Sequence, residues 1–277
     1  MTRLLRSLGW IGSGLGPILL ISVVLLAIAG LVWTPFDPNA LNFAYRYRPP
    51  ALPHLIGTDH LGRDLFSRLL LGASTSTAVS GMAVIGALLI GSLLGAISGY
   101  FMGWADRAAM LLTDAILAMP GILLALGIMT VTGPSVAGLV GAMAITFTPV
   151  VFRVVRSAVL SLREKEFIEA SRALGNRDFF SITYHILPNC VAPLTVVGTS
   201  LFGSAILTES ALSFLGLGVP PHVPTWGAML SDGRNIFARA PWAVIYPGLA
   251  ISYLLLGVNL TGDTLRDRLD PRAKGHI

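Results

Sequence analysis

Charge is what this sequence has least of. Charged side chains make up 12% of its 277 residues, against 54% hydrophobic, and a soluble domain carries about twice that charged share. A core of such composition cannot be clothed in polar surface, which excludes a water-soluble globular enzyme and points to a membrane protein. Cysteine occurs once, as Cys190, so an internal disulfide and a multi-cysteine metal site are excluded. Lysine occurs at Lys165 and Lys274 alone. Neither follows a glycine, so there is no Gly-Lys-Ser/Thr phosphate loop and no ATP hydrolysis of that kind by this chain. No Gly-x-Ser-x-Gly or His-Glu-x-x-His occurs, and five scattered histidines offer no soft-ligand cluster for a metal. No cofactor is expected on this chain.

What is present is a series of apolar runs. Uncharged or nearly uncharged stretches at residues 17–33, 76–102, 108–131, 136–155, 191–217 and 241–260 are each long enough to span a bilayer. The reading is an all-α integral membrane protein of six transmembrane helices. A cleavable signal peptide is the alternative for the first run, given Ala27-Ile28-Ala29, but the run is longer than a usual signal core. The second is dense in glycine, the composition that lets helix backbones approach closely in lipid. The third holds Asp114 and a Met119-Pro120-Gly121 kink. The fifth opens at Cys190, which should face the cytoplasmic boundary, and contains Glu209.

Between the first two runs lies a Pro-rich polar segment with Gly57-Thr58-Asp59-His60-Leu61-Gly62-Arg63-Asp64. Leu65, Phe66, Leu69 and Leu70 then follow at helical spacing, which predicts a turn leading into an amphipathic interfacial helix. His60 and Asp64 at i, i+4 are too few to specify a metal, and capping and salt-bridge roles are favoured. Residues 218–239 are a Pro-containing loop that folds back as a plug or lid. The resulting division is residues 1–72 (first helix plus extracytoplasmic segment), 73–262 (the core, with a loop at 158–189) and 263–277 (a charged tail).

An even number of spans puts both termini on one side. The termini, the turn at Trp104, the end of the fourth run with Arg153 and Arg156, and the 158–189 loop carry 13 of the 19 Lys and Arg residues, Arg3, Arg6, Arg272 and Lys274 among them, and the opposite side carries 6. The richer side belongs in the cytoplasm. Net charge of +5 thus reflects membrane topology and needs no nucleic acid.

The longest polar stretch is residues 161–189. Ser161 and Glu164 have capping-box spacing, and Glu164 and Glu166 put negative charge in a first turn. Phe167, Ser171 and Leu174 fall on one face. Gly175 ends that helix in the left-handed conformation, Asn176 caps a second helix carrying Phe179, Phe180, Ile182, Ile186 and Leu187, and Pro188 stops it. A plain solvated loop is one alternative. A helix-turn-helix DNA reader is another, disfavoured by membrane on both sides.

This stretch resembles the loop signature of permease subunits of ATP-binding cassette (ABC) importers. That signature is Glu-Ala-Ala, three residues, Gly, nine residues, Ile, any residue, Leu-Pro. Here it reads Glu169-Ala170-Ser171, Gly175, His185, Leu187-Pro188, with Ser171 in place of Ala and His185 in place of Ile. Three more stretches resemble the dipeptide, oligopeptide and nickel permeases: Gly57 to Asp64, Ala-Leu-Ser-Phe-Leu-Gly-Leu-Gly at 211–218, and Gly-Asp-Thr-Leu-Arg-Asp-Arg-Leu-Asp-Pro-Arg at 262–272. The order of features is like the second of the two sibling permeases in peptide importers. The resemblance implies a type I importer permease fold in a bacterial inner membrane, with a cytoplasmic coupling helix. It implies a heterodimer with the sibling, two ATP-binding subunits holding ATP and Mg, and an extracytoplasmic solute-binding protein that delivers peptide.

Asp114 and Glu209 are the intramembrane carboxylates. They either line the pathway and attract a peptide amino terminus, or hydrogen-bond to neighbouring helices. A nickel permease, a channel or ion-coupled carrier, and an intramembrane enzyme are the competing functions. The last lacks a second aspartate inside a span, and the carrier leaves the loop signature without a role.

Overall fold

The computed structural model describes residues 2–269. The described residues are mostly helical, without a named strand among them. In order come α1 (Thr2–Val32), α2 (Leu65–Phe101), α3 (Gly103–Leu117), α4 (Gly121–Thr132), α5 (Val136–Leu162), α6 (Glu166–Ala173), α7 (Asp178–Phe180), a π-helical turn (Ser181–Ile186), α8 (Leu187–Asn189), α9 (Val191–Phe214), α10 (Trp226–Arg234) and α11 (Trp242–Leu269). Five of these, α1, α2, α5, α9 and α11, are long and apolar enough to cross a membrane, and α3 with α4 makes a sixth span if taken as one. The side chains of Arg3 and Arg6, and residues Arg272 and Lys274, lie outside what is described.

The third span is broken rather than kinked. α3 and α4 meet at 91°. Pro120 has no N–H to give to the preceding turn, and its ψ of 123° takes the backbone out of the helix before α4 begins.

The second span is longer than its apolar run. α2 starts at Leu65, so the residues expected to form a separate amphipathic helix are its first turns. Asp64 caps it, accepting from the Ser67 N–H at 2.8 Å and the Ser67 hydroxyl at 2.7 Å. With 37 residues α2 is about 55 Å long, more than an apolar layer of about 30 Å requires. It is the central rod, against which α1, α5 and α9 pack. The α2–α5 seam is tight because Gly91, Gly95 and Gly99 recur every turn. A Cβ on Gly95 would lie 2.7 Å from the Phe152 carbonyl oxygen, and one on Gly99 would lie 2.9 Å from that of Arg156.

At one end of the bundle, residues 34–64 fold over α2. Asp59 accepts from the N–H groups of Leu61 and Arg63 and pairs with the Arg63 guanidinium at 2.5 Å, which reaches Asp232 at 2.9 Å. The capping and salt-bridge roles expected here are therefore filled, but the partner of Asp64 is His54 Nδ1, at 2.9 Å, rather than His60. The 218–239 loop does fold back. Its helix α10 packs on α9 and α11, with the Trp226 indole donating to the Leu69 carbonyl at 3.1 Å and the Trp226 N–H to Ser76 Oγ at 3.2 Å.

At the opposite end the 161–189 stretch differs from expectation in detail. Ser161 lies inside α5, so no capping box forms with Glu164, and Glu166 and Glu169 occupy the first turn of α6. Gly175 has φ +80°, and the Asn176 N–H closes back on the Ser171 carbonyl at 3.2 Å, the ring of a Schellman stop. Asn176 is spent there, and Arg177 precedes α7 instead. Pro188 does not stop the second helix. It sits in the first turn of α8, just after the π-helical turn, and the chain stays helical into α9. α11 likewise runs on to Leu269, through the start of the expected tail.

Candidate functional site

The loop between α5 and α9 is held from inside. Ile168, Ile182 and Ile186 are buried and anchor it to the bundle core. Of the expected coupling residues, Glu169, Ala170, Gly175 and Pro188 are exposed and free to meet another protein. Ser171, His185 and Leu187 face inward. Ser171 Oγ lies 3.3 Å from Ser181 Oγ and accepts from Asn176 Nδ2 at 3.1 Å, tying α6 to the π turn. The His185 ring packs edge-on to Phe167 and Phe180. The departures Ser171 and His185 are thus internal substitutions that keep the loop's own joint closed.

What the sequence reading missed is the apolar outside of this loop. Leu174 is 82% exposed, Phe179 75% and Tyr184 69%, and Phe167 is also exposed. Of Phe167, Ser171 and Leu174, which fall on one face by spacing, only Ser171 is buried, and Ile168 makes the apolar contact with the core. The signal was available, since large apolar residues in the chain's most polar stretch that lie off the Ile168–Ile182–Ile186 face have nowhere to be but outside.

The loop is also fastened to the end of α2. The Tyr100 hydroxyl donates to Asp178 at 2.6 Å, and Arg163 Nη1 donates to the Tyr100 carbonyl at 3.2 Å. Cys190, at the start of α9, is fully buried.

The two intramembrane carboxylates have opposite surroundings. Glu209 is 0% exposed. It accepts from Ser213 Oγ at 2.7 Å, with Ser210 Oγ at 3.4 Å, and the hydroxyls of Ser76 and Thr225 also face it. Thr225 in turn caps α10. Glu209 therefore clasps α9, α2 and the folded-back α10, and it lines no open space. Asp114 pairs with Arg153 Nη2 at 2.5 Å, and both side chains are about half exposed. Nearby, Asp106 receives Arg156 through two bonds of 2.6 and 2.7 Å and also the Ser98 hydroxyl. Two arginines of α5 thus hold two aspartates of α3.

The model for binding-protein-dependent transport system inner membrane components matches residues 91–275. The dipeptide transport system permease protein DppC of Alkalihalophilus pseudofirmus is 45% identical over 259 residues, covering 94% of this chain and 85% of its own length. The glutathione transport system permease protein GsiD of Pectobacterium atrosepticum is 41% identical over 256 residues, covering 91% and 85%.

Proposed function

Since the chain belongs to the family of inner-membrane components of binding-protein-dependent transport systems, we propose that it is the ABC-importer permease that carries di- and oligopeptides across the membrane. It is a permease subunit and not itself an enzyme. The relatives named for dipeptide and glutathione transport favour peptide over nickel as cargo.

The observation that carries the coupling part of this reading is the exposed apolar outside of the 163–190 loop. Leu174, Phe179 and Tyr184 stand in water in the isolated chain, on a segment whose inner face is locked to α2 and continuous with α9. Such a patch on a rigid mount is a docking face. Its partner is an ATP-binding subunit, one of two, since this chain has no phosphate loop of its own. Glu169, Ala170 and Gly175 lie on that face. Ser171, His185, Leu187 and Pro188 keep the mount rigid or join it to α9. Beyond the Gly175 bend, a push reaches α2 through Asp178 of α7 and Tyr100, and reaches α9 through the π-helical turn and α8. The basic residues of this end support a cytoplasmic position for it. A sibling permease completes the pathway, and an extracytoplasmic binding protein delivers peptide to the 34–64 end.

The test is uptake by the assembled importer in sealed vesicles. Labelled dipeptide should enter only with ATP and binding protein, nickel ion should not enter, and an ATPase should co-purify. Nucleotide-independent uptake, or uptake of nickel in place of dipeptide, overturns the proposal.

A further inference from the structure

We propose that Asp114 and Arg153 form a transit site for zwitterionic peptides, Asp114 receiving the α-amino group and Arg153 the α-carboxylate. The inference rests on the peptide-import reading and adds to it the place and chemistry of recognition within the membrane.

Depth is the first argument. Asp114 is eleven residues beyond the start of α3 and Arg153 nine before the end of α5, which puts them about 17 and 14 Å from those ends. Both lie within segments long and apolar enough to cross a membrane, toward the end that carries the 163–190 loop. Exposure is the second. At 52% for Asp114 and 47% for Arg153, this pair is open on one side, whereas Asp106 beneath it is buried and Glu209 is wholly enclosed. A half-open ion pair facing lipid at that depth would be strongly unfavourable. In the assembled importer its open side therefore faces a water-filled passage. Leu111 and Leu112 of α3 and Ile145 of α5 are exposed along the same helices.

Charge conservation selects the ligand. Removing one partner of an ion pair in an apolar setting leaves an uncompensated charge and costs several kcal/mol. A lone cation drawn to Asp114 would strand Arg153, and a lone anion would strand Asp114. A free peptide carries one ammonium and one carboxylate. It can replace each partner in the same move, so that every charge stays compensated throughout. Arg153 is suited to the carboxylate, which its planar guanidinium meets through two parallel bonds.

The experiment uses the complete importer, with partner subunits and binding protein, in vesicles. In Leu111→Cys, one turn before Asp114 and exposed, the introduced thiol should react with a small water-soluble thiosulfonate. Alanyl-alanine should slow that reaction at least fivefold, and N-acetyl-alanyl-alanine amide should not. The unaltered protein is the background, because Cys190 is buried. In parallel, Asp114→Asn and Arg153→Gln should each lower alanyl-alanine uptake at least tenfold with the ATPase still co-purifying, and Asp114→Glu should restore most of it. An unreactive thiol at position 111, equal protection by the blocked dipeptide, or normal uptake by both neutral variants overturns the site. Absence of dipeptide uptake by the unaltered importer instead overturns the import reading beneath it.

Discussion

At the scale of single residues, Gly175 separates two effects that one substitution usually mixes. Its φ of +80° disfavours any side chain, yet a Cβ there would meet nothing within 4 Å. Gly175→Ala should therefore show strain alone, about 1–2 kcal/mol, and retain the ATPase subunit. Gly175→Trp adds bulk on the docking face. It should insert in the membrane but lose most of the co-purifying ATPase, or hydrolyse ATP without uptake. Wild-type retention and uptake for the tryptophan variant would show that this face is not the docking face. Glu169→Lys, exposed one turn earlier, should act in the same direction by reversing charge. Cys190 gives a second residue-level expectation. Its position at the start of α9 suggested labelling from the cytoplasmic side, but at 0% exposure it should resist an impermeant thiol reagent from both sides and react only after denaturation. Rapid labelling of the folded protein would contradict the packing around α9.

At the scale of elements, the joint between α2 and the loop is the part whose loss should be most specific. Tyr100→Phe removes the hydroxyl that reaches Asp178, a bond to a charged group worth about 2 kcal/mol. Docking residues are untouched, so the ATPase should remain bound while more ATP is hydrolysed per peptide imported. An unchanged ratio for both Tyr100→Phe and Asp178→Asn would remove this joint from the coupling route. The α2–α5 seam should respond differently. Gly95→Ala forces a Cβ to 2.7 Å from a backbone oxygen, and overpacking of this kind destabilises by roughly 1–3 kcal/mol. The expected result is a lower thermal midpoint of the detergent-solubilised protein. Gly127→Ala is its control, since a Cβ there meets nothing within 4 Å.

At the scale of the whole molecule, the order and approximate limits of the five unbroken spans were legible, because apolar length is a one-dimensional signal. The Gly175 turn and the roles of Asp59 and Asp64 were legible for a similar reason: each depends on neighbours in sequence. What the sequence hid was pairing across distance. Asp114 looked solitary inside a span and Arg153 looked like a boundary residue. Only the antiparallel packing of α3 on α5 brings them together. Glu209 looked equivalent to Asp114 until the return of α10 enclosed it. Pro120 read as a kink, since nothing local distinguishes a bend of a few degrees from one of 91°. The long reach of α2 has a further consequence. One rigid helix is tied to the 34–64 module through Asp64 and His54 and to the docking loop through Tyr100 and Asp178. Two binding events at the ends of such a rod share one free-energy cycle, and coupling between sites is reciprocal. Whatever factor nucleotide binding applies to the affinity of the delivering protein at the far end, that protein must apply the same factor to the affinity for nucleotide.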